Sequence, residues 1–327
     1  MKKNIATSDM RILFVTSDVA GKMAPFNKQQ TVALQKEGLT VDHFRITESG
    51  IIGYLKAAKR LRRYLKEHSI SLIHAHYSYC GWVADLARRK EKLVVSFIGS
   101  DIYGYPDAHH IKKRLWTVIQ KLTCLHAQWR IDLTLLMSNK MKKVCSPLKK
   151  GIIFPHGVDF NQYFPLDDQQ AAREKIGWPQ DKKIILFPAN PARAVKNFPL
   201  AKKAVDLLQD DQVILKSFIN VPNDLMNFYY NAADLLLMTS LHEGSPCVIK
   251  EAMACNLPII STDVGDVSEI IANTDGCSIS APNAESLKST ISLNLKNNMR
   301  TNGREKVKRL ELSSVIQKQI SLYKSLI

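Results

Sequence analysis

Short apolar runs alternate with amphipathic stretches along this chain, and the alternation comes in two blocks. In the first, Arg11–Thr16 is a compact apolar run of the kind a strand buried on both faces requires. A turn at Ala20-Gly21-Lys22 leads into a helical stretch that runs to about Lys36 and is stopped by Gly38. Val41–Ile46 reads as a strand, Tyr54–His68 as a helix and Ser71–His74 as a strand, and Leu93–Ile98 is a further strand ended by Gly99-Ser100-Asp101. Around residues 151–168 turn-forming and polar residues interrupt the pattern. It restarts with a strand at Lys183–Pro188, a helix at Phe198–Leu208, a strand at Val213–Phe218, a helix at Asp224–Ala232 and strands at Asp234–Met238 and Pro258–Ser261. Two β/α blocks of similar size predict an α/β protein of two Rossmann-like domains with parallel sheets facing a cleft. The expected division is residues 1–158 and 159–310, followed by an amphipathic helix over 311–327.

Within the second block, Glu243-Gly244-Ser245-Pro246-Cys247 opens a helix that carries Glu251. Ser245 reads as the N-cap and Pro246 as the first helical residue, with Asn256 as the C-terminal stop. One carboxylate then lies just outside the helix and the other a little over a turn inside it. Between them, the first helical N–H groups favour an anion such as a phosphate. The carboxylates themselves suit hydroxyl groups. Earlier, Arg193 and Lys196 occupy the loop between a strand and a helix, where fixed cations could meet negative charge developing on a departing group.

Bulk properties narrow the class. At 327 residues and 36.9 kDa the chain is long enough for two cored domains. Six cysteines form no Cys-x-x-Cys pair, which suits reduced thiols in a cytosol. No signal peptide is read at the start, and no apolar run approaches the ~20 residues a bilayer span needs. The absence of Gly-x-Gly-x-x-Gly and of a Walker-type motif argues against a dinucleotide dehydrogenase and a P-loop enzyme. Charge is uneven: residues 1–150 hold 27 Lys and Arg against 11 Asp and Glu, residues 151–327 hold 19 of each, and the net excess is +16. In Tyr54–Lys66, Leu55, Ala58, Leu61 and Leu65 gather on one side and Lys56, Lys59, Arg60, Arg63 and Lys66 on the other. The pattern fits a sheet-packing helix with a solvated face, or one that docks on anionic lipid. No aromatic-interleaved basic motif supports nucleic acid as the partner.

The string from Glu243 through Glu251-Ala-Met-Ala-Cys-Asn-Leu-Pro258 to Ser261-Thr-Asp-Val-Gly265, with Asn231-Ala-Ala-Asp234 before it, resembles the donor-binding segment of family 4 retaining glycosyltransferases. Within that family it is similar to bacterial teichuronic-acid and cell-surface polysaccharide enzymes. The resemblance implies the GT-B fold and transfer of a sugar from a nucleotide-diphosphate sugar, with uracil as the presumed base and configuration retained. A cell-surface polysaccharide or lipid-linked glycan would accept it. It further implies that Glu243 touches the donor sugar, that Glu251 holds the ribose hydroxyls, and that Gly244, Ser245, Pro246 and Cys247 line the donor site. Arg193 and Lys196 match the family's Arg/Lys loop on the donor phosphates, at shorter spacing than usual. Gly21 stands where the family has a glycine-rich loop, and Val221 where it cradles the base. Ile98-Gly99-Ser100-Asp101 matches the family's His-Gly-x-Asp acceptor segment without its His. Asp101 is therefore either an acceptor ligand or a local cap. His76 and His156 are further acceptor-side candidates, with His74 or His76 open to a purely structural role; His156 replaces the usual Asn. By the same resemblance no metal or other cofactor is required, and the final helix returns to the first domain. The protein would work in the cytoplasm, its basic half at the inner face of the plasma membrane. A nucleotide-sugar epimerase or hydrolase of the same fold, or a non-catalytic basic binding module, are the competing readings.

Overall fold

The computed structural model describes residues 7–17, 24–104, 110–146, 148–219, 221–297 and 299–327. Two compact units share the chain. The first lies within residues 7–156 and includes Ser313–Ile327; the second is Gly157–Leu312.

The first unit is built on six parallel strands: β1 (Arg11–Ser17), β2 (Thr40–Ile46), β3 (Leu72–His76), β4 (Lys92–Phe97), β5 (Leu133–Leu136) and β6 (Ile152–Ile153). Their order is β2-β1-β3-β4-β5-β6. Parallel neighbours need crossover helices, and right-handed crossovers fix which face each helix covers. The steps from β2 to β3, β3 to β4 and β4 to β5 run one way across the sheet. They place the helices Gly50–Glu67, Ser78–Ala87 and His110–Arg130 on one face. The step from β1 to β2 runs the other way and puts Pro25–Lys36 behind the sheet. The C-terminal helix Leu312–Leu326 shares that rear face: its Tyr323 hydroxyl is 2.6 Å from His74 Nδ1, and its Gln319 Oε1 accepts from Gln30 Nε2 at 2.7 Å. With both faces covered, Ile12, Leu13, Phe14 and Val15 are all buried, which is why β1 reads as an unbroken apolar run.

Two helices differ from expectation. Gly50–Glu67 starts a turn early, and Leu55, expected on the buried side with Ala58, Leu61 and Leu65, is 56% exposed. The helix His110–Arg130 lies outside the expected elements altogether. Its buried residues include Thr123, Cys124 and Ala127, whereas Leu115, Val118, Leu122, Leu125 and Trp129 face solvent.

The second unit holds β7 (Lys183–Phe187), β8 (Val213–Ser217), β9 (Leu235–Met238), β10 (Ile259–Ser261) and β11 (Cys277–Ile279), all parallel, in the order β11-β10-β9-β7-β8. One face packs Ile185, Phe187, Leu235, Leu237 and Ile260 against Ala201, Ala204, Leu287 and Ile291. The other packs Leu186, Leu236, Met238 and Ile259 against Tyr230, Ile249, Ala252 and Met253. Each such aliphatic side chain contributes about 1.5–3 kcal/mol on burial. Chain order reverses between β7 and β9, and open α/β sheets bind ligands beyond the C-terminal strand ends at such a reversal. The loops leaving there are residues 188–197 and 239–246. Among the described residues no helix is long and apolar enough to cross a membrane.

Candidate functional site

Beyond β7 the chain makes a tight turn. Asn190 Oδ1 accepts the Ala192 N–H at 2.9 Å, and Asn197 takes left-handed backbone (φ 53°) to start the helix Phe198–Asp206. The loop after β9 is sewn to this turn. Buried Thr239 donates its hydroxyl to Lys196 O (3.1 Å) and Asn197 O (2.9 Å), and the Leu241 N–H donates to Val195 O at 2.9 Å. With the main chain fixed on both sides, Lys196 Nζ reaches Glu243 Oε1 at 2.5 Å, with 13% and 17% of the two side chains exposed. Arg193, on the same turn, is exposed.

The loop after β10 presses on Glu243 from another side. Gly265 has φ +54°, and a Cβ there would stand 2.6 Å from Gly244 O and 3.2 Å from Glu243 O. Only glycine fits that approach without moving the carboxylate's own backbone.

The helix opened by this loop is Cys247–Ala254, with Pro246 as its N-cap and no side-chain capping bond. This corrects the expected frame by one residue: Ser245 is not the cap. Its hydroxyl donates to Asp266 Oδ2 at 2.6 Å and accepts from Lys250 Nζ at 3.0 Å, so it is already committed. The far end is as expected: Asn256 is left-handed (φ 54°), its N–H bonds Met253 O at 3.0 Å, and the Leu257 N–H bonds Ala252 O at 2.9 Å. As at any helix start, the first N–H groups lack intrahelical acceptors and favour an anion.

Glu251 lies further along this helix. Its Oε2 accepts from the buried Tyr230 hydroxyl at 2.5 Å, and Tyr163 meets Tyr230 edge-on at 5.8 Å. Burial pushes the Glu251 carboxyl above the ordinary range, and the Tyr230 bond and the Lys250 charge offset part of that rise. Burial likewise raises the Cys247 thiol. Val221 is half-buried, just past the end of β8.

Lys250 is fully buried, and the sequence reading missed it. Asp266 beside it is 4% exposed, and its Oδ1 has no hydrogen-bond partner. Burial lifts the Asp266 carboxyl, while the Lys250 charge and the Ser245 bond pull it down. A lysine among the apolar residues of a helix was the available signal, but no local spacing links residue 250 to residue 266.

In the first unit Asp101 is buried. Its carboxylate accepts the N–H groups of Gly99 (2.8 Å), Ile98 (3.1 Å) and Ser78 (3.1 Å), tying together the chain ends beyond β3 and β4. Burial lifts it to about 6 against the pull of those amides. His74 is locked between Tyr323 and Ser96 Oγ (2.8 Å). His76 is buried with neither ring nitrogen hydrogen-bonded; it stacks on His74 at 4.2 Å and meets Phe14 edge-on at 4.6 Å. Burial, then the neighbouring His43, drives the His76 pKa down to about 3. His156 packs its ring on Phe26 at 4.5 Å. Gly21 lies outside the described residues. The structure thus brings Lys196 and Glu243 into contact, and places Glu251, Ser245 and Cys247 on the adjoining helix and its entry. Among the described residues, no group of three or more His, Cys, Asp or Glu could hold a metal ion.

Comparison with known proteins bears on the family and the fold. Residues 206–310 match the family model for glycosyl transferases group 1, and residues 25–129 match glycosyl transferase 4-like. The chain is 26% identical over 242 residues to the teichuronic acid biosynthesis glycosyltransferase TuaC of Bacillus subtilis (strain 168), covering 67% of this chain and 60% of that protein. It is 24% identical over 260 residues to the UDP-Gal:alpha-D-GlcNAc-diphosphoundecaprenol alpha-1,3-galactosyltransferase of Escherichia coli, covering 68% and 65%. The chain therefore spans less than two thirds of the length of either relative. Among solved structures, a sucrose-phosphate synthase from Thermosynechococcus elongatus superposes with TM-score 0.83 at 18% identity, over 97% of this chain and 99% of that one. Anabaena Alr3699/HepE in complex with UDP and glucose superposes with TM-score 0.72 at 16% identity, over 97% and 100%. These likenesses show the fold: two parallel-sheet α/β domains of the GT-B type.

Proposed function

From the premise that this chain belongs to the family 4 glycosyltransferases, we propose that it moves a sugar from a uridine-diphosphate sugar to a cell-surface polysaccharide or lipid-linked glycan. The observation that carries the reading is the Lys196–Glu243 pair at the strand-order reversal, beside a helix start. The neighbours' complexes with UDP and glucose, and the UDP-galactose in the Escherichia coli relative's name, support a uridine donor.

In this reading Glu251 binds the ribose hydroxyls and Glu243 a hydroxyl of the sugar. The diphosphate lies against the helix start and Lys196, with Arg193 able to swing in from solvent. As the bond from the anomeric carbon to the diphosphate oxygen breaks, its electron pair leaves with the diphosphate, and Lys196 and the N–H groups meet the added charge. The acceptor oxygen bonds the same face of the sugar and its proton passes to the departing phosphate, so configuration is retained. Glu243 holds Lys196 in place before the donor arrives, which lowers the cost of organising the site. Val221 and Cys247 border the donor, and no metal takes part. On the acceptor side, His76 and His156 are the contact candidates, with Asp101 fixing the chain that leaves β3 just beyond His76. The reaction takes place in the cytoplasm.

The test is turnover of Lys196→Ala with a panel of nucleotide sugars, the productive donor chosen by thermal shift. Losing one such charge-stabilising contact raises the barrier by about 3–4 kcal/mol, roughly 10²–10³-fold in rate. Some stability should be lost as well, because the variant leaves the mostly buried Glu243 without its cation, so turnover is compared per folded protein. Unchanged turnover would remove Lys196 from the site. Donor consumption that is independent of any acceptor would favour a hydrolase or epimerase instead.

A further inference from the structure

The helix His110–Arg130 carries an apolar stripe that nothing among the described residues covers. Leu115, Val118, Leu122, Leu125 and Trp129 recur at intervals of three and four, so they form one line about 21 Å long. Trp129 is 77% exposed and Leu115 59%. The neighbouring helix Ser78–Ala87 continues the surface with Leu86. The two helices are held together where Trp82 stacks on His126 at 4.3 Å and Asp85 pairs with Arg130 at 3.1 Å. Among the described residues, more than half of the exposed large apolar side chains lie on the three helices of this one sheet face. Apolar exposure concentrated on one face in this way marks a contact surface.

Charge selects the occupant. Residues 110–130 contain five Lys or Arg and no Asp or Glu, and residues 50–66 contain six and none. A second copy of the chain meeting this face symmetrically would set cation against cation, whereas an anionic sheet of lipid headgroups complements it. A helix with an apolar line, flanking cations and an exposed tryptophan at one end has the features of one lying in a bilayer interface. We propose that this face, centred on the Leu115–Trp129 stripe, seats the protein on an anionic bilayer. The proposal deepens the reading that the acceptor is lipid-linked, and rests on it. A lipid-linked acceptor stays in the membrane, so a docked first unit would meet it there.

The experiment is sedimentation of the full chain with vesicles of phosphatidylglycerol and phosphatidylcholine, or of phosphatidylcholine alone, at physiological salt. The double variant Val118→Glu/Leu122→Glu is run beside it, and its fold is checked by circular dichroism melting. Both positions are exposed, so the melt should match wild type. Wild type should bind the anionic vesicles only, and the variant at least roughly tenfold more weakly. Absent binding, equal binding to neutral vesicles, or equal binding by the variant each overturns the proposal. So does a dimer in ultracentrifugation that the variant dissolves, because the stripe would then belong to a second copy. A donor-induced thermal shift, measured without vesicles, separates the two readings. A shift with no vesicle binding sinks the docking surface alone, and a missing shift sinks the donor site whatever the vesicles do.

Discussion

Gly265→Ala isolates the geometry of the candidate site better than any substitution of a charged residue, because it adds one methyl group to a backbone contact. At φ +54° an alanine is strained by about 1–2 kcal/mol. The new Cβ would also stand 2.6 Å from Gly244 O, where ordinary contact begins near 3.4 Å. The Glu243-Gly244 backbone must then retreat by roughly 0.8 Å, and Glu243 is the residue that holds Lys196 at 2.5 Å. A misplacement of about 1 Å at a reacting centre can cost around 10²-fold in rate. The built-in control is Gly177→Ala. Gly177 has φ +68° but nothing within 4 Å of its would-be Cβ, so it suffers the backbone strain without the collision.

Urea unfolding and donor turnover together give the answer. Gly177→Ala should lose about 1–2 kcal/mol and keep full turnover. Gly265→Ala should lose at least as much stability and about 100-fold in turnover. If Gly265→Ala turns over like Gly177→Ala, the close approach of the 262–265 loop does not position Glu243, and the account of the site's preorganisation fails.

Three further expectations follow from buried groups. Lys250→Met should cost about 3–5 kcal/mol in urea unfolding because it strands the buried Asp266 carboxylate; adding Asp266→Asn should restore most of it, and strictly additive losses would show that the two do not interact. Tyr230→Phe should remove about 1–2 kcal/mol by leaving Glu251 without its donor, and weaken nucleotide binding measured by calorimetry; unaltered binding would separate Glu251 from the donor. Stability should fall as pH drops below about 6.5: His74 and His76 are held neutral in the fold, His76 down to about 3, so the unfolded chain takes up protons first. Asp101, raised to about 6, acts in the opposite sense between about 4 and 6. His76→Phe should flatten the melting temperature between pH 7 and pH 5, and a slope as steep as wild type would locate the sensitivity elsewhere.

What the sequence made legible follows its physics. Strands buried on both faces stand out as apolar runs, so β1, β3, β4, β7, β9 and β10 were readable within a residue or two, as were the half-buried edge strands β2 and β8. Glu243 and Glu251 were readable because loop and helix start are marked by Gly244 and Pro246, and Asn256 because a left-handed helix exit suits asparagine. Ser245 misled because its hydroxyl found a tertiary acid before a local N–H, a choice local spacing does not encode. Lys250 was illegible for the same reason: its partners come from another loop. The helix His110–Arg130 escaped for the opposite one. Its apolar period is real but points outward, so matching it to a buried sheet face gives no consistent register.

The uneven charge then has a structural account. In the second unit the buried cations are matched within the fold, Lys196 by Glu243 and Arg173 by Asp234 at 2.7 Å, and Lys250 bonds the serine that in turn donates to Asp266. Acids and bases therefore balance at 19 each over residues 151–327. In the proposed reaction, a half that balances its own charges meets the diphosphate by exchanging partners, Glu243 releasing Lys196 to the phosphate and turning to a sugar hydroxyl. In the first unit the acids are spent differently. Asp85 and Asp132 both pair with Arg88 at the end of the helix Ser78–Ala87, and Asp101 serves backbone amides. The remaining cations, among them Lys56, Lys59, Arg63, Lys66 and Lys121, stand exposed on the same sheet face as the apolar stripe. Solvated cations alone would need no apolar residues among them, and an apolar contact alone would need no cations. Their co-location on one face is what a charged interface with an oily interior demands, and the proposed bilayer contact would account for the entire +16 excess falling on one half of the chain.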